Sequence, residues 1–157
     1  MALWFALAAQ RLYELAHSRR NERAMQARGG YEAYPGHFQV MRLLHLAWFV
    51  ALLYDRGTPH VSLGLVCLVA GQALRLWAIR TLGERWSVRI MVVPGAPLVA
   101  RGPYRWLRHP NYVGVALELF GVPLLVGAWR TALAFTVLNG LLLAYRIRCE
   151  ERALGIR

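Results

Sequence analysis

The chain alternates long apolar runs with short basic ones, and that alternation constrains its fold more than any other feature. Five apolar segments stand out: about Ala2–Ala16, Phe38–Tyr54, Val61–Ala78, Tyr112–Ala128 and Ala132–Tyr145. Each is a little shorter than the roughly 20 residues of a full helical span. Flanking Trp, Tyr and Arg can extend them, because these side chains reach the headgroup level from inside the bilayer. Backbone polar groups in lipid need internal partners, so the runs are expected to be helices rather than open strands. The expected fold is an all-α integral membrane protein with about five transmembrane helices, in one domain over residues 1–157.

Charge supports the same class. The sequence is 57% hydrophobic yet carries a formal charge of +11. Apolar spans with basic cytoplasmic ends combine those properties easily. All 19 Lys/Arg positions are arginine, which reads first as genome bias. Nucleic-acid binding is a poor explanation, since the arginines are split among apolar runs rather than gathered on one patch.

The arginines also set an orientation. With the N-terminus outside, Ser18–Gly36 is cytoplasmic and holds Arg19, Arg20, Arg23 and Arg28. The long segment after the third run is then also cytoplasmic, with Arg80, Arg85, Arg89, Arg101, Arg105 and Arg108. The outer loops keep only Arg56 and Arg130, and the C-terminal tail is cytoplasmic. The reverse orientation would invert the positive-inside bias. The polar, arginine-rich segments between the spans are therefore expected to face the cytosol.

The first run has no basic leader and no small-residue cleavage site, so it is expected to be a short span rather than a signal peptide. Arg11 and Glu14 interrupt it three residues apart, close enough on a helix to pair. Ser18–Gly30 is expected to be an interfacial helix ended by Gly29-Gly30. Met91–Pro103 holds Pro94, Gly95, Pro97, Gly102 and Pro103, which excludes a regular helix and leaves an ordered loop.

Two polar clusters border the last two runs. Arg101–Tyr112 precedes the fourth, and Arg146-Ile147-Arg148-Cys149-Glu150-Glu151 ends the fifth. A hairpin of these two spans would bring the clusters together. Pro110 suits the first position of a helix, and free amides there, with Arg108 and His109, favour an anionic group. Arg101 and Arg105 are expected at lipid headgroups. Glu118 lies inside a span, where an ionisable group is a functional candidate or a buried partner for Arg42 or another arginine. Arg146 and Glu150 share a helical face, with Glu151 pointing elsewhere. The arginine fork suits oxyanions and keeps its charge in a low dielectric. His17, His37, His45 and His60 show no metal-ligand spacing, and Cys67 and Cys149 form no disulfide or metal pattern.

Gly102-x-Tyr104-x3-Arg108-His109-Pro110-x-Tyr112-x-Gly114, followed by Arg146-x3-Glu150-Glu151-x2-Leu154, resembles the isoprenylcysteine carboxyl methyltransferase family. The resemblance runs from about Leu98 onward. It implies a membrane enzyme that uses S-adenosylmethionine, leaving S-adenosylhomocysteine, without a soluble dinucleotide-type domain. It implies a cofactor lined by Leu98 and Val99 and held by Tyr104, His109, Pro110, Asn111, Tyr112 and Glu150. Arg146 would face the substrate and act with Glu150 as the catalytic pair, and Glu118 joins the substrate candidates. Arg89 is added to the cofactor set by proximity alone, giving a catalytic core of about 89–157. The segment Arg11-Leu-Tyr-Glu14-x3-Ser18-x-Arg20-Asn21-Glu22 resembles a bacterial branch, some of whose members methylate hydroxyls of long-chain pyrones or phenols. The implied acceptor is an oxygen, hydroxyl or carboxyl, on a lipophilic molecule entering from the bilayer. It is a long-chain pyrone or phenolic lipid, or an isoprenylcysteine-like molecule. Two other classes share parts of the pattern: an NADPH-dependent membrane sterol-type reductase, which the acidic Glu150-Glu151 pair disfavours, and a non-catalytic membrane assembly factor.

Overall fold

The computed structural model describes residues 2–156, with side chains from residue 5 onward. Five α-helices dominate: α1 Ala2–Gln26, α2 His37–Tyr54, α3 Val61–Leu82, α4 Pro110–Leu125 and α5 Trp129–Ala153. Two short strands, β1 Tyr31–Glu32 and β2 Met91–Val92, pair antiparallel with Tyr31 opposite Val92. Three of the helices, α2, α3 and α5, are long and apolar enough to cross a bilayer. Helix α4 is a shorter apolar helix of 16 residues. Their outward faces are apolar: Leu43, Leu46, Leu53, Val66, Val69, Val137 and Leu141 are all exposed, as expected where lipid is the solvent. The protein is an integral membrane protein that is mostly helix.

The separate interfacial helix expected over Ser18–Gly30 does not exist. One 25-residue helix, α1, runs through Ala2–Gln26 and joins it to the first apolar run. Nothing between Ala16 and Ser18 breaks helical geometry. The break comes later, at the Gly29 turn, where φ is +80°.

Glycines set the closest helix contact, between α3 and α4. An added Cβ at Gly71 would sit 2.9 Å from Gly114 O, and one at Gly121 would sit 2.9 Å from Gly64 O. Each helix therefore presents two glycines seven residues apart, and the backbones meet there as in small-residue packing between membrane helices. The α3–α4 pair forms a rigid centre, and Trp48 of α2 binds it by donating Nε1–H to Leu119 O at 3.2 Å.

The polar half of α1 clamps the segment after α3. Asn21 donates to the carbonyls of Gly83 at 3.0 Å and Trp86 at 2.8 Å. Val88 N–H donates to Ser18 Oγ at 2.9 Å. Ile90, Val92, Ala33 and Cys149 make a small apolar core below it. A stretch with only one 3-10 turn, Gly83–Arg85, is thus fixed against the end of α5, which positions the Val88 carbonyl at the site.

Candidate active site

The hairpin of α4 and α5 brings the two sequence clusters together. Pro110 is the first residue of α4 and is fully buried, and His109, at φ −129° and ψ 60°, is the last residue before it. Proline supplies a preset helical φ where no amide bond is lost. Two residues later Tyr112 faces α5. Its hydroxyl accepts from Arg146 Nε at 2.7 Å and donates to Glu150. The Arg146 guanidinium also donates to Val88 O at 2.6 Å and lies 5.1 Å from the Tyr112 ring centre. Arg146 is 4% exposed, so the charge is held by directed contacts rather than by water.

Behind Tyr112 sits an acidic and aromatic cluster. The His109 ring stacks on Tyr112 at 5.3 Å, with planes 2° apart. His109 Nδ1 lies 3.6 Å from Glu150, and Nε2 lies 3.5 Å from Glu151. Glu151 does not point elsewhere. It is 3% exposed and turned toward His109 and Arg108, because the helix carries past the span and places it on the α4 side. Tyr104, in the turn Gly102–Arg105, belongs to the same cluster: burial and then the Glu150 carboxylate push its phenol above the ordinary value.

On the other side of Arg146 lies a cavity of about 690 Å³. Helices α1, α2, α4 and α5 contribute most of its wall, which is mainly apolar. Arg11, Glu14, Arg19, Gln39, Arg42, His45 and Arg75 supply polar groups alongside Asn111, Tyr112, Glu118, Asn139 and Arg146, whereas His109, Glu150 and Glu151 are not in the lining. Tyr112 and Arg146 therefore form a partition with a lipophilic chamber on one face and the Glu150 cluster on the other.

A buried charge network closes the chamber. Arg75 donates to Glu14 at 2.6 Å and to Glu118 at 2.7 Å. Arg11 pairs with Glu14 at 2.7 Å, as the spacing predicts, and also with Glu118. The partners of Glu118 are thus Arg11 and Arg75 rather than Arg42. Arg75 also reaches Asn111 Oδ1 at 3.4 Å. Two carboxylates and two guanidiniums balance, the condition for retaining charges inside a membrane protein. Sequence reading passed over Arg75; its place inside an apolar run was the available signal.

The remaining candidates lie apart from this centre. Leu98 is exposed and Val99 half-buried, and both line a shallow groove of about 280 Å³ with Thr81, Arg85 and Arg101. Arg89 is engaged by Glu32 and Glu22 and covers the Phe38 ring, tying α1, β1 and α2 to the loop. Arg105 lies over Trp106, and Arg101 is exposed.

Residues 63–156 match the isoprenylcysteine carboxyl methyltransferase family. The chain belongs to that family. The match begins at α3, earlier than the motifs alone reach, and so takes in Arg75 and the glycine contact. Over 154 residues the chain is 37% identical to the uncharacterized protein YpbQ of Bacillus subtilis, covering 94% of this chain and 92% of that one. An uncharacterized protein of Haemophilus influenzae is 30% identical over 95% of this chain and 91% of its own length. Protein-S-isoprenylcysteine O-methyltransferase A of Arabidopsis thaliana is 32% identical over 73% of this chain, which spans 62% of that enzyme. No solved structure matches the chain. As a member of the family the protein is a membrane O-methyltransferase, and its two bacterial relatives match 94% and 95% of the chain, well beyond the residues of the family match.

Proposed function

We propose that the protein transfers a methyl group from S-adenosylmethionine to an oxygen of a lipophilic molecule held in the 690 Å³ cavity. The observation that carries this reading is the Tyr112 hydroxyl, bonded on one side to Arg146 and on the other to Glu150. It separates a chamber fit for a lipid from a cluster fit for a charged cofactor.

The donor set suits that cofactor. Glu150 and Glu151 provide acceptors for an ammonium group and ribose hydroxyls, and Arg108 provides a donor for a carboxylate. The His109 ring, between Glu150 and Glu151, gives this wall a flat face beside the carboxylates. Tyr104, Pro110 and Tyr112 complete this wall, Asn111 stands at its edge with its Oδ1 turned to Arg75, and Leu98 and Val99 extend it through the groove of their loop, beside Arg101. Arg89 holds that loop and is assigned no direct contact.

When bound, the cofactor supplies a methyl group on a positively charged sulfur, a good leaving group. The protein's part is then alignment in a dry site. Arg146 holds the acceptor oxygen as an anion, or a neighbouring carboxylate, beside Tyr112. Its existing bonds to Val88 O and Tyr112 fix the guanidinium so that it orients the nucleophile without neutralising it. Glu150 keeps Tyr112 and His109 in register and is the nearest carboxylate to receive a phenolic or enolic proton through the Tyr112 hydroxyl. Glu118 marks the far end of the acceptor's chamber.

The acceptor proposed is a long-chain pyrone or phenolic lipid, or an isoprenylcysteine-like molecule, entering from the bilayer. The arginine distribution supports an N-terminus outside and a cytoplasmic C-terminus, with α1 and α4 completing five spans in a bacterial inner membrane. A single catalytic domain follows, with its core over about 89–157. Calorimetry tests the site. Wild type and Arg146→Ala should both bind S-adenosylhomocysteine, Glu150→Gln should bind it more weakly, and none should bind NADPH. Binding of NADPH in place of S-adenosylhomocysteine would overturn the proposal.

A further inference from the structure

Met41, His45 and Trp48 line the cavity from one stripe of α2. The residues on either side of His45 are fixed to the catalytic hairpin. Met41 Sδ accepts from Arg146 Nη1 at 3.2 Å, and Trp48 donates to Leu119 O at 3.2 Å. Met41 therefore stands level with the contact of Arg146 and Tyr112, and Trp48 stands level with Leu119. Both steps, Met41 to Trp48 and Tyr112 to Leu119, are two helical turns in the same direction. His45 lies between them, one turn or about 6 Å along the axis from the level of Arg146.

The His45 ring is set for proton transfer. Its Nδ1 lies 2.8 Å from Met41 O. A carbonyl oxygen only accepts, so Nδ1 carries the proton and Nε2 keeps a lone pair. Nε2 has no hydrogen-bond partner among the described residues, and it is not one of their sealed polar atoms. The half-buried ring thus keeps an open nitrogen in the cavity wall. The charged groups that face it are Arg11 of α1, Arg75 of α3 and Glu118 of α4, with Arg146 of α5 beyond Met41. Glu118 is taken up by the two arginines of α1 and α3. Arg146 spends Nε and Nη2 on oxygen acceptors, whereas Nη1 meets only a thioether, a weak acceptor. A donor with capacity to spare and an open lone pair therefore belong to the same end of the chamber.

We propose that His45 Nε2 is the base that takes the proton of the acceptor's hydroxyl. The acceptor oxygen receives a hydrogen bond from Arg146 Nη1 and donates one to His45. Two such bonds of about 3 Å each span about 6 Å, the difference in level between the two groups. As the oxygen's electron pair forms its bond to the methyl carbon, the oxygen–hydrogen bond breaks toward Nε2. The carbon–sulfur bond breaks with its pair left on sulfur, so the positive charge ends on the imidazolium. The proton then leaves to water at the cavity rim, where Gln39 and Arg42 are exposed. A relay through Tyr112 needs two transfers, because that hydroxyl already gives its proton to Glu150; His45 needs one. The proposal rests on the cavity being the acceptor's chamber. It narrows the acceptor to phenols and enols, since a carboxyl group is already ionised at neutral pH and has no proton to give.

The test compares 4-dodecylphenol with 2-nitro-4-dodecylphenol, which is ionised at mildly alkaline pH and needs no base. Purified full-length protein in detergent is given methyl-labelled S-adenosylmethionine and each probe. His45→Asn keeps an amide donor for Met41 O and removes the base. Its ratio of rates, phenol to nitrophenol, should fall about 100-fold or more below that of wild type. A structural role would lower both rates together, and an unchanged ratio overturns the proposal, as does methylation of neither probe by wild type. A second measurement needs no variant. Diethylpyrocarbonate should modify His45 in wild type, located by peptide mass spectrometry, and 4-dodecylphenol should block it; a ring that never reacts overturns the proposal. Calorimetry of S-adenosylhomocysteine on wild type separates the claims. Binding with an unchanged ratio removes the base alone, and no binding removes the methyltransferase reading itself.

Discussion

Arg146 and Tyr112 meet at 2.7 Å, guanidinium Nε to phenol oxygen, at the boundary between the lipophilic cavity and the Glu150 cluster. Tyr112 donates its own proton onward to Glu150. One hydroxyl therefore sets the position of the group assigned to the acceptor and the group assigned to the cofactor. Helix packing alone would hold neither side chain so closely.

Tyr112→Phe should retain the ring stacked on His109 and lose only that bridge. The expected outcome is a fall in turnover of about 10- to 100-fold, the range of one or two lost hydrogen bonds to charged groups. Stability in detergent should also fall, by about 1–3 kcal/mol, because the buried Arg146 Nε–H loses its acceptor. The check is methyl-transfer rate alongside a melting curve, with unaltered turnover counting against the bridge.

Arg75 joins Glu14 of α1 to Glu118 of α4, so it couples the N-terminal helix to the catalytic hairpin. Arg75→Met removes one cation from a balanced set and leaves two carboxylates sharing Arg11. Breaking a buried pair in this way costs about 3–5 kcal/mol. Denaturation in mixed micelles should show that loss, together with protease sensitivity of α1.

The glycine contact between α3 and α4 is equally specific. A Cβ at Gly114 would lie 2.8 Å from Gly71 O and 2.3 Å from Arg75 Cγ. Gly114→Ala should destabilise by about 1–3 kcal/mol through overpacking. Gly36→Ala, with nothing within 4 Å of the added carbon, is the matched control and should be close to neutral.

Asp55, beyond the end of α2, accepts hydrogen bonds from Thr131 N at 2.8 Å and Oγ1 at 2.9 Å. Chiefly the Thr131 backbone amide, and then its hydroxyl and Arg130, hold the carboxyl below its ordinary value. A depressed carboxyl stabilises the fold above its unfolded pKa, and that contribution disappears as pH falls through the folded value. Asp55→Asn should therefore be less stable than wild type at neutral pH. The difference should shrink below about pH 4. A difference independent of pH would show that charge at Asp55 is not the cause.

Much of this was legible in the sequence. Apolar runs fixed the helical class, and Pro110 marked the start of α4. The pairing of the Arg101–Tyr112 and Arg146–Glu151 clusters followed from a short turn between two helices. Arg11 and Glu14 met as their spacing required. What was missed depends on partners distant in sequence. Gly71 and Gly114 are ordinary glycines until two helices are placed together. The network that satisfies Glu118 reaches from Arg11 to Arg75, a span no local pattern records. Glu151 was misread because a two-position view of α5 ignored where α4 begins. The continuity of α1 was legible in principle, since no Gly or Pro lies between Ala16 and Ser18, but the change from apolar to polar residues there suggested a boundary.

The central claim is methyl transfer to a lipophilic oxygen at Arg146. Membranes containing the protein, incubated with methyl-labelled S-adenosylmethionine and a host lipid extract, test it most directly. The account predicts one labelled lipid product whose label sits on oxygen, formed by wild type and absent with Arg146→Ala. A wild-type protein that binds S-adenosylhomocysteine yet leaves every lipid unlabelled, or equal labelling with Arg146→Ala, would contradict it.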